Sequence, residues 1–198
     1  IRRQVIEFQP YMIAVTMLTA DFAECMNVVR LLRNQMPKSL IVGGGPHPSG
    51  EPHATMEQMS ELDGIGLGPG EEICLELANG SLLRETAGCA YMDGGLVKFV
   101  GHRQVAKDID CFPFPAWDLI DTEFYCELNS ATTFNFLTRS LSVLTSRGCP
   151  CACYFCSSEW NRPLRMHSVE YVIELCEMLI RKYPIDTLAF WDDTIGLN

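Results

Sequence analysis

The stretch Ser146-Arg147-Gly148-Cys149-Pro150-Cys151-Ala152-Cys153-Tyr154-Phe155-Cys156 decides what the rest of the chain has to support. Three of its cysteines, Cys149, Cys153 and Cys156, have the spacing Cys-x3-Cys-x2-Cys. An iron–sulfur cubane normally takes four thiolates, so a loop that supplies three of them leaves one iron open to another ligand. The spacing therefore predicts a catalytic 4Fe-4S cluster on these three thiolates.

Other uses of these cysteines are weighed against this one. Structural zinc sites usually pair two separated ligand runs, and the sequence has no second run of this kind. A disulfide cluster needs an oxidising compartment, and we find no signal-peptide pattern. A closed, non-catalytic iron–sulfur carrier or sensor needs a fourth ligand, for which Cys151 is the nearby candidate. We expect Cys151 not to be a ligand, because a fourth thiolate would close the open iron.

The sequence on either side of the cysteine loop has the pattern of parallel βα units. A strand is predicted at Ser142–Thr145, a helix from Ser168 to about Lys182, and a second strand at Thr187–Trp191. Asp192, Asp193 and Thr194 follow that second strand directly. In parallel barrels the reactive groups lie at the C-terminal ends of strands, where carboxylates suit a cationic group, although an aspartate there can also cap the next helix.

The Ser-Arg-Gly-Cys-Pro lead-in, the cysteine spacing and the aromatic residue before Cys156 resemble the radical S-adenosylmethionine (SAM) enzymes. The resemblance implies that the open iron binds SAM and that an electron from the cluster cleaves it to a deoxyadenosyl radical. It places Phe155 against the adenine, with a core position as the alternative. It also places Asp192, Asp193 and Thr194 around the SAM amino group, although the Gly-Gly-Glu sequence expected there is absent.

The first half of the chain alternates short apolar strands with helices, the pattern of a doubly wound parallel sheet. The strands are predicted at Met12–Leu18, Ser39–Val42 and Gly64–Leu67, with a helix from Thr19 or Asp21 to Gln35 and another from about His53 to Leu62. Ligands of such sheets bind at the carboxyl ends of the strands, and all three strands end in small or polar residues. The glycine spacing does not match a dinucleotide fingerprint, which excludes nicotinamide binding.

These strand ends resemble the cobalamin-binding domain of one radical SAM subgroup. The resemblance assigns cobalamin to seven residues: Thr16 and Leu18, as a Ser-x-Leu element; Gly44 and Gly45, as a Gly-Gly element; and Gly68, Gly70 and Glu71, as a Gly-Glu-Gly-Glu turn from which Pro69 departs. The alternative is a degenerate Rossmann-like domain that binds nothing. We expect His47, between two prolines, to be a solvated loop residue rather than a metal ligand.

Together these patterns predict an α/β fold with an incomplete Rossmann-like doubly wound parallel sheet, followed by the first βα units of a partial TIM-type radical SAM barrel. We expect a cobalamin-binding-like domain at 1–85, a hairpin and Pro/aromatic linker at 86–138, and the start of the barrel domain at 139–198. The chain begins at Ile1 without Met and ends just after a strand, so we expect a longer protein, cut within a domain at both ends.

Composition limits the partners. The net charge of −10 disfavours a broad nucleic-acid or anionic-membrane surface, and no apolar run approaches a membrane span. Ten cysteines without a secretory signal favour a cytoplasmic location. A small-molecule substrate and an electron donor such as flavodoxin or ferredoxin are the partners that the resemblance implies.

The functional hypothesis is a radical SAM enzyme that cleaves SAM reductively at a 4Fe-4S cluster, with cobalamin, for methyl transfer or for ring rearrangement and cyclisation. The alternatives are a radical SAM enzyme without cobalamin, such as a methylthiotransferase, and the non-catalytic iron–sulfur carrier or sensor. We expect the 198-residue chain alone to be inactive.

Overall fold

A five-stranded sheet organises the first half of the chain, in a computed structural model that describes residues 2–128, 139–151, 153–156 and 163–196. Contacts divide the chain into two units, 1–105 and 106–198. Residues 129–138 of the expected linker, Ala152 in the cysteine loop and the terminal residues Ile1 and Asn198 lie outside the described part.

The strands of the first unit lie in the order β1-β2-β3-β4-β5. They are β1 Met12–Thr16, β2 Leu40–Gly44, β3 Gly64–Gly66, β4 Cys89–Asp93 and β5 Leu96–Val100. The first three are parallel, as the buried β-branched runs predict, and the β4–β5 hairpin joins the edge of β3 in antiparallel orientation. The hairpin at Gly94 and Gly95 is therefore confirmed, and it extends the sheet.

Five helices accompany this sheet: α1 Arg2–Phe8, α2 Phe22–Gln35, α3 Pro46–Gly50, α4 Pro52–Gln58 and α5 Glu71–Ala78. The helix predicted at about His53–Leu62 is present as α4 but ends earlier, at Gln58. The preceding α3 was not predicted, and each of the two helices has a proline in its first turn. Helix α2 begins after Asp21, which stands at the N-cap position without a side-chain hydrogen bond to the helix. Apolar side chains fill the core, including Met17, Val29, Ile41 and Ile65.

The second unit contains the start of a parallel arrangement. Its elements are α6 Thr122–Leu128, β6 Ser140–Val143, β7 Ser146–Arg147, β8 Arg165–Met166, α7 Val169–Lys182 and β9 Thr187–Phe190. Strands β6 and β9 pair in parallel, and β7 and β8 form a short antiparallel pair. The mixed α/β class with parallel pairing in both units, expected from the sequence, is confirmed.

Helix α7 follows its sequence signals closely. The Ser168 hydroxyl accepts a hydrogen bond from the Tyr171 N–H at 3.1 Å, as an N-cap should, and Pro184 lies just beyond the last turn. Its buried face, with Leu175 and Leu179, packs on Leu141 and Val143 of β6. In the described residues, no helix has both the length and the apolar character needed to cross a membrane.

The strand before the cysteine loop differs from the prediction by two residues. It was predicted at Ser142–Thr145 and lies at Ser140–Val143. The reason is that the Thr145 N–H donates to the Asp192 side chain instead of continuing the ladder with β9. The strand predicted at Thr187–Trp191 ends at Phe190, one residue early.

Candidate functional site

The ends of β1 and β2 are joined by backbone hydrogen bonds in the first unit. Thr16 lies opposite Gly44 in the parallel register. Beyond that pair, the Met17 N–H donates to the Gly44 carbonyl at 2.9 Å, and the His47 N–H donates to the Met17 carbonyl at 3.1 Å. Two of the elements assigned to cobalamin, Thr16 with Leu18 and Gly44 with Gly45, are thus adjacent.

Gly45 is required by the backbone itself. Its φ of 94° and ψ of −169° fall in a region that glycine alone adopts readily. A Cβ added there would lie 3.2 Å from both the N and the O atoms of Met17. The close approach of these two loops therefore accounts for Gly45 whether or not a ligand binds.

Gly44 and Gly68, by contrast, border open space. A Cβ at Gly44 would meet the Gly66 carbonyl oxygen at 3.8 Å, and one at Gly68 would meet nothing within 4 Å among the described residues. Gly68 is held by its N–H, which donates to the Ser49 hydroxyl at 2.9 Å, and Leu18 is 46% exposed. This bare backbone surface fits a bulky, flat ligand that lies close to the strand ends.

The other two assigned residues follow β3. Gly70 precedes α5, where an added Cβ would meet the Cys74 sulfur at 3.9 Å. Glu71 is the first residue of α5, and it is exposed.

His47 is not the solvated loop residue that the sequence predicts. It lies in α3, half-buried, with its ring 4.0 Å from that of Phe22 and its Nδ1 3.1 Å from the Thr19 hydroxyl. Its Nε2 is buried and has no hydrogen-bond partner among the described residues. Flanking prolines gave no signal of this packing, because they start a helix here instead of extending a loop.

The cysteine loop of the second unit brings Cys149 to the end of the neighbouring strand. The Cys149 sulfur lies 3.5 Å from the Thr194 hydroxyl oxygen. Cys153 and Cys156 are exposed, and the Cys156 N–H donates to the Cys153 carbonyl at 3.0 Å. In the described part of the chain no three His, Cys, Asp or Glu side chains converge to metal-binding distance, so the three thiols are not brought together.

The chemistry of this donor set nevertheless fits an iron–sulfur cluster. The hydrogen bond with Thr194, and then contacts with Cys151, lower the pKa of Cys149 below that of an ordinary thiol. A lowered pKa favours the thiolate, which is the form that binds metal.

Asp192 is held firmly by the residues that precede the loop. Its Oδ1 accepts three hydrogen bonds: from the Thr145 N–H at 2.9 Å, the Thr145 hydroxyl at 2.9 Å and the Ser146 hydroxyl at 2.6 Å. Burial raises the pKa of Asp192, but the hydrogen bonds from Ser146 and Thr145 outweigh it and hold the pKa below its usual value. The carboxylate is therefore charged at neutral pH.

The second carboxylate oxygen of Asp192, Oδ2, is available to accept a hydrogen bond. Oδ2 is buried and has no hydrogen-bond partner among the described residues. Such an oxygen on a charged carboxylate fits a cationic ligand group such as an ammonium. Asp193 is exposed, and its carbonyl accepts a hydrogen bond from the Thr194 hydroxyl at 2.8 Å.

Phe155 is 81% exposed and touches Tyr154 edge to face, with ring centroids 5.8 Å apart. Its exposure excludes the core alternative. Its predicted contact with adenine stays a prediction.

A polar cluster missed by the sequence analysis supports the other side of the loop. The Asp110 carboxylate lies 2.7 Å from His167 Nδ1 and accepts a hydrogen bond from the Ser168 N–H at 3.1 Å. The pKa of Asp110 is lowered chiefly by its side-chain interaction with Ser168, and then by His167 and the Ser168 N–H. The His167 N–H in turn donates to the Thr145 carbonyl at 2.9 Å. Asp110 stands in a proline-rich stretch with no periodicity, so no local pattern could have found this cluster.

The chain is similar to known proteins over its first domain and along nearly its whole length. The family model of the B12 binding domain matches residues 1–78. The chain is 32% identical to the uncharacterized methyltransferase PH0819 of Pyrococcus horikoshii, over 97% of this chain and 41% of that protein. It is 24% identical to the anaerobic magnesium-protoporphyrin IX monomethyl ester cyclase of Cereibacter sphaeroides, over 97% of this chain and 32% of that protein. The chain thus spans less than half the length of these curated relatives.

A solved structure shares the fold. The radical S-adenosylmethionine methyltransferase TsrM from Kitasatospora setae, with tryptophan and a SAM analogue bound, superposes with a TM-score of 0.74 at 18% identity, over 97% of this chain and 39% of that one. The chain thus matches the B12-binding domain family over residues 1–78, and along nearly its whole length it resembles methyltransferases, a cyclase and the fold of a radical SAM methyltransferase.

Proposed function

We propose that the protein transfers a methyl group to a small molecule, using SAM cleaved at a 4Fe-4S cluster on Cys149, Cys153 and Cys156, and cobalamin bound by the first unit. The observation that carries the proposal is the meeting of Cys149, Thr194 and Asp192 at two neighbouring strand ends. Methyl transfer takes precedence over cyclisation because PH0819, a methyltransferase, has the higher identity, 32% against 24%.

The residues of the second unit have distinct roles in this proposal. Cys149, Cys153 and Cys156 hold the cluster as thiolates, and the lowered pKa of Cys149 favours its binding form. Asp192 accepts hydrogen bonds from the SAM amino group at Oδ2, the oxygen that lacks a donor among the described residues. Asp193 and Thr194 complete that turn, and Phe155 covers the adenine from its exposed position.

In the first unit, the glycines contribute to binding because they have no side chain. Gly44 and Gly68 admit the corrinoid or its nucleotide tail to the backbone, while Leu18 offers an exposed apolar contact. When bound, the cluster supplies the electron that cleaves SAM, and cobalamin supplies the methyl carrier. An electron donor such as flavodoxin or ferredoxin would reduce the cluster.

The cluster is tested by anaerobic reconstitution of the full-length protein. We expect a reduced-cubane signal in electron paramagnetic resonance that shifts when SAM is added. Changing Cys149, Cys153 or Cys156 to alanine should abolish iron binding, whereas Cys151→Ala, the matched control in the same loop, should retain it. A native signal that does not respond to SAM, or loss of iron in Cys151→Ala alone, refutes the SAM-binding cluster.

The cobalamin site is tested separately by absorbance of the protein after loading with hydroxocobalamin. Gly44→Val places a side chain in the open space over β2 and should abolish corrinoid binding. Gly50→Val is the matched control, because it adds the same side chain at a position away from β2 where a Cβ meets nothing within 4 Å among the described residues. Equal corrinoid retention in the two variants contradicts the site.

The reaction is tested by incubating the holoenzyme with labelled methyl-SAM and candidate acceptors. Transfer of label to a small molecule supports methyl transfer. Deoxyadenosine formation with an unlabelled, cyclised product supports the cyclase relatives instead.

A further inference from the structure

The cysteine loop is fixed at its first residues by one carboxylate oxygen. Thr145 and Ser146 stand immediately before Arg147-Gly148-Cys149. Asp192 Oδ1 accepts hydrogen bonds from both of their hydroxyl groups and from the Thr145 N–H, at 2.6 to 2.9 Å. The loop therefore begins at a point tied to the neighbouring strand.

The position of this contact relative to the ladder matters. Strands β6 and β9 pair up to Val143 and Phe190, and one further backbone bond runs from the Trp191 N–H to the Val143 carbonyl at 3.0 Å. Beyond these pairs, the segment after β6 continues into β7, and the segment after β9 forms the turn Asp192-Asp193-Thr194. Asp192 continues the pairing with its side chain where the backbone ladder stops.

The energetics favour a rigid contact. Hydrogen bonds to a charged acceptor are shorter and stronger than neutral ones. Ser146 is buried and Thr145 is half-buried, so their donors would lack water if Asp192 moved away. The same strand-end turn carries Thr194, which contacts Cys149.

We propose that Asp192 is a positioning residue, whose Oδ1 fixes Thr145 and Ser146 and so holds the first cluster cysteine, Cys149, beside Thr194. The proposal rests on the proposed function only for the identity of the group that the loop binds. It adds a second task to the carboxylate whose Oδ2 was assigned to SAM. Loop position and ligand contact then depend on one side chain.

The double variant Thr145→Val with Ser146→Ala tests the positioning role alone. It removes two donors to Oδ1 and leaves Asp192 in place. In the cluster-free protein we expect amide exchange in residues 144–148 to rise roughly tenfold, since losing hydrogen bonds to a charged acceptor populates the open loop by about that factor. In the reconstituted protein, iron retained against a chelator should fall on the order of tenfold, as for other supporting contacts of metal ligands.

Ser142→Ala is the matched control, because this half-buried serine of β6 is not one of the donors to Asp192 Oδ1, and it should change neither readout. Ser146→Ala alone gives a smaller change in the same direction if the double variant does not fold. Native exchange and native iron retention in both test variants overturn the proposal, as does an equal effect of Ser142→Ala. Amide exchange is measured without the cluster and therefore tests the positioning role independently of the proposed function. If the native protein does not respond to SAM, the proposed function is refuted, and the exchange data still decide whether Asp192 positions the loop.

Discussion

Replacing Gly45 by alanine should destabilise the first unit before any ligand is involved. The native φ of 94° and ψ of −169° lie in a region where a non-glycine residue costs about 1–3 kcal/mol. The new Cβ would also lie 3.2 Å from the Met17 backbone N and O, so the loop would have to shift. Weakening the Met17–Gly44 hydrogen bond adds roughly 1 kcal/mol, for a total of about 2–4 kcal/mol.

The assay has to resolve the two units. The three tryptophans, Trp117, Trp160 and Trp191, all lie beyond residue 105, so their fluorescence reports the second unit. Pulsed hydrogen exchange in a urea series, read on peptides from 12–45, reports the first. With a urea m-value of about 2 kcal/mol per molar, the middle of the usual range, the midpoint of those peptides should fall by roughly 1–2 M.

Gly50→Ala is the control, because its Cβ meets nothing within 4 Å of the described residues and its φ is not left-handed. It should leave both midpoints unchanged. If Gly45→Ala matches this control to within about 0.3 M, the backbone argument is wrong, and Gly45 then has no structural role to separate from ligand binding.

Three further predictions concern single side chains. Gly64→Ala should destabilise the sheet by at least about 2 kcal/mol in the same exchange assay, because its Cβ would lie 2.7 Å from the Ala90 carbonyl oxygen; a native midpoint contradicts this. Burial raises the pKa of Cys89 to about 11, so iodoacetamide at pH 8 should label exposed Cys153 and spare Cys89 until urea is added, as peptide mass spectrometry can check. Folding lowers the pKa of Asp192 below its unfolded value of about 3.9. The charged carboxylate therefore stabilises the folded state fully above that pH, and this contribution is lost as the pH falls through the folded pKa. In Asp192→Asn, the free energy of unfolding measured by tryptophan fluorescence should fall less steeply with decreasing pH in the acid range.

The parts of the fold that depend on neighbouring residues in the chain could be predicted from the sequence. The β-branched runs of β1 and β2 and the Ser168 cap of α7 act through neighbours in the chain, and the structure confirms them. The strand at Ser140–Val143 was misplaced for the opposite reason. Its end depends on Asp192, far along the chain, and no local pattern specifies that hydrogen bond.

The same division applies to the candidate site. Strand-end glycines and the cysteine spacing mark positions in the sequence, and these positions do lie at strand ends. The roles of individual atoms depend on long-range contacts: His47 with Thr19, Asp110 with His167, and the two oxygens of Asp192. Such contacts join residues far apart in the chain and have no periodicity, so no sequence pattern predicts them.

The hairpin at the far edge of the first sheet also bears on how the unit folds. Strands β4 and β5 pair over five positions across the Gly94-Gly95 turn, while β4 meets β3 at two. A hairpin of this kind closes in about 1–10 μs, whereas the parallel pairing of Met12 with Leu40 must first close a long intervening loop. We therefore expect the complete chain to assemble this sheet from the hairpin inwards, so that the glycine-lined strand ends form last and the corrinoid site proposed there is complete only when the whole unit has folded.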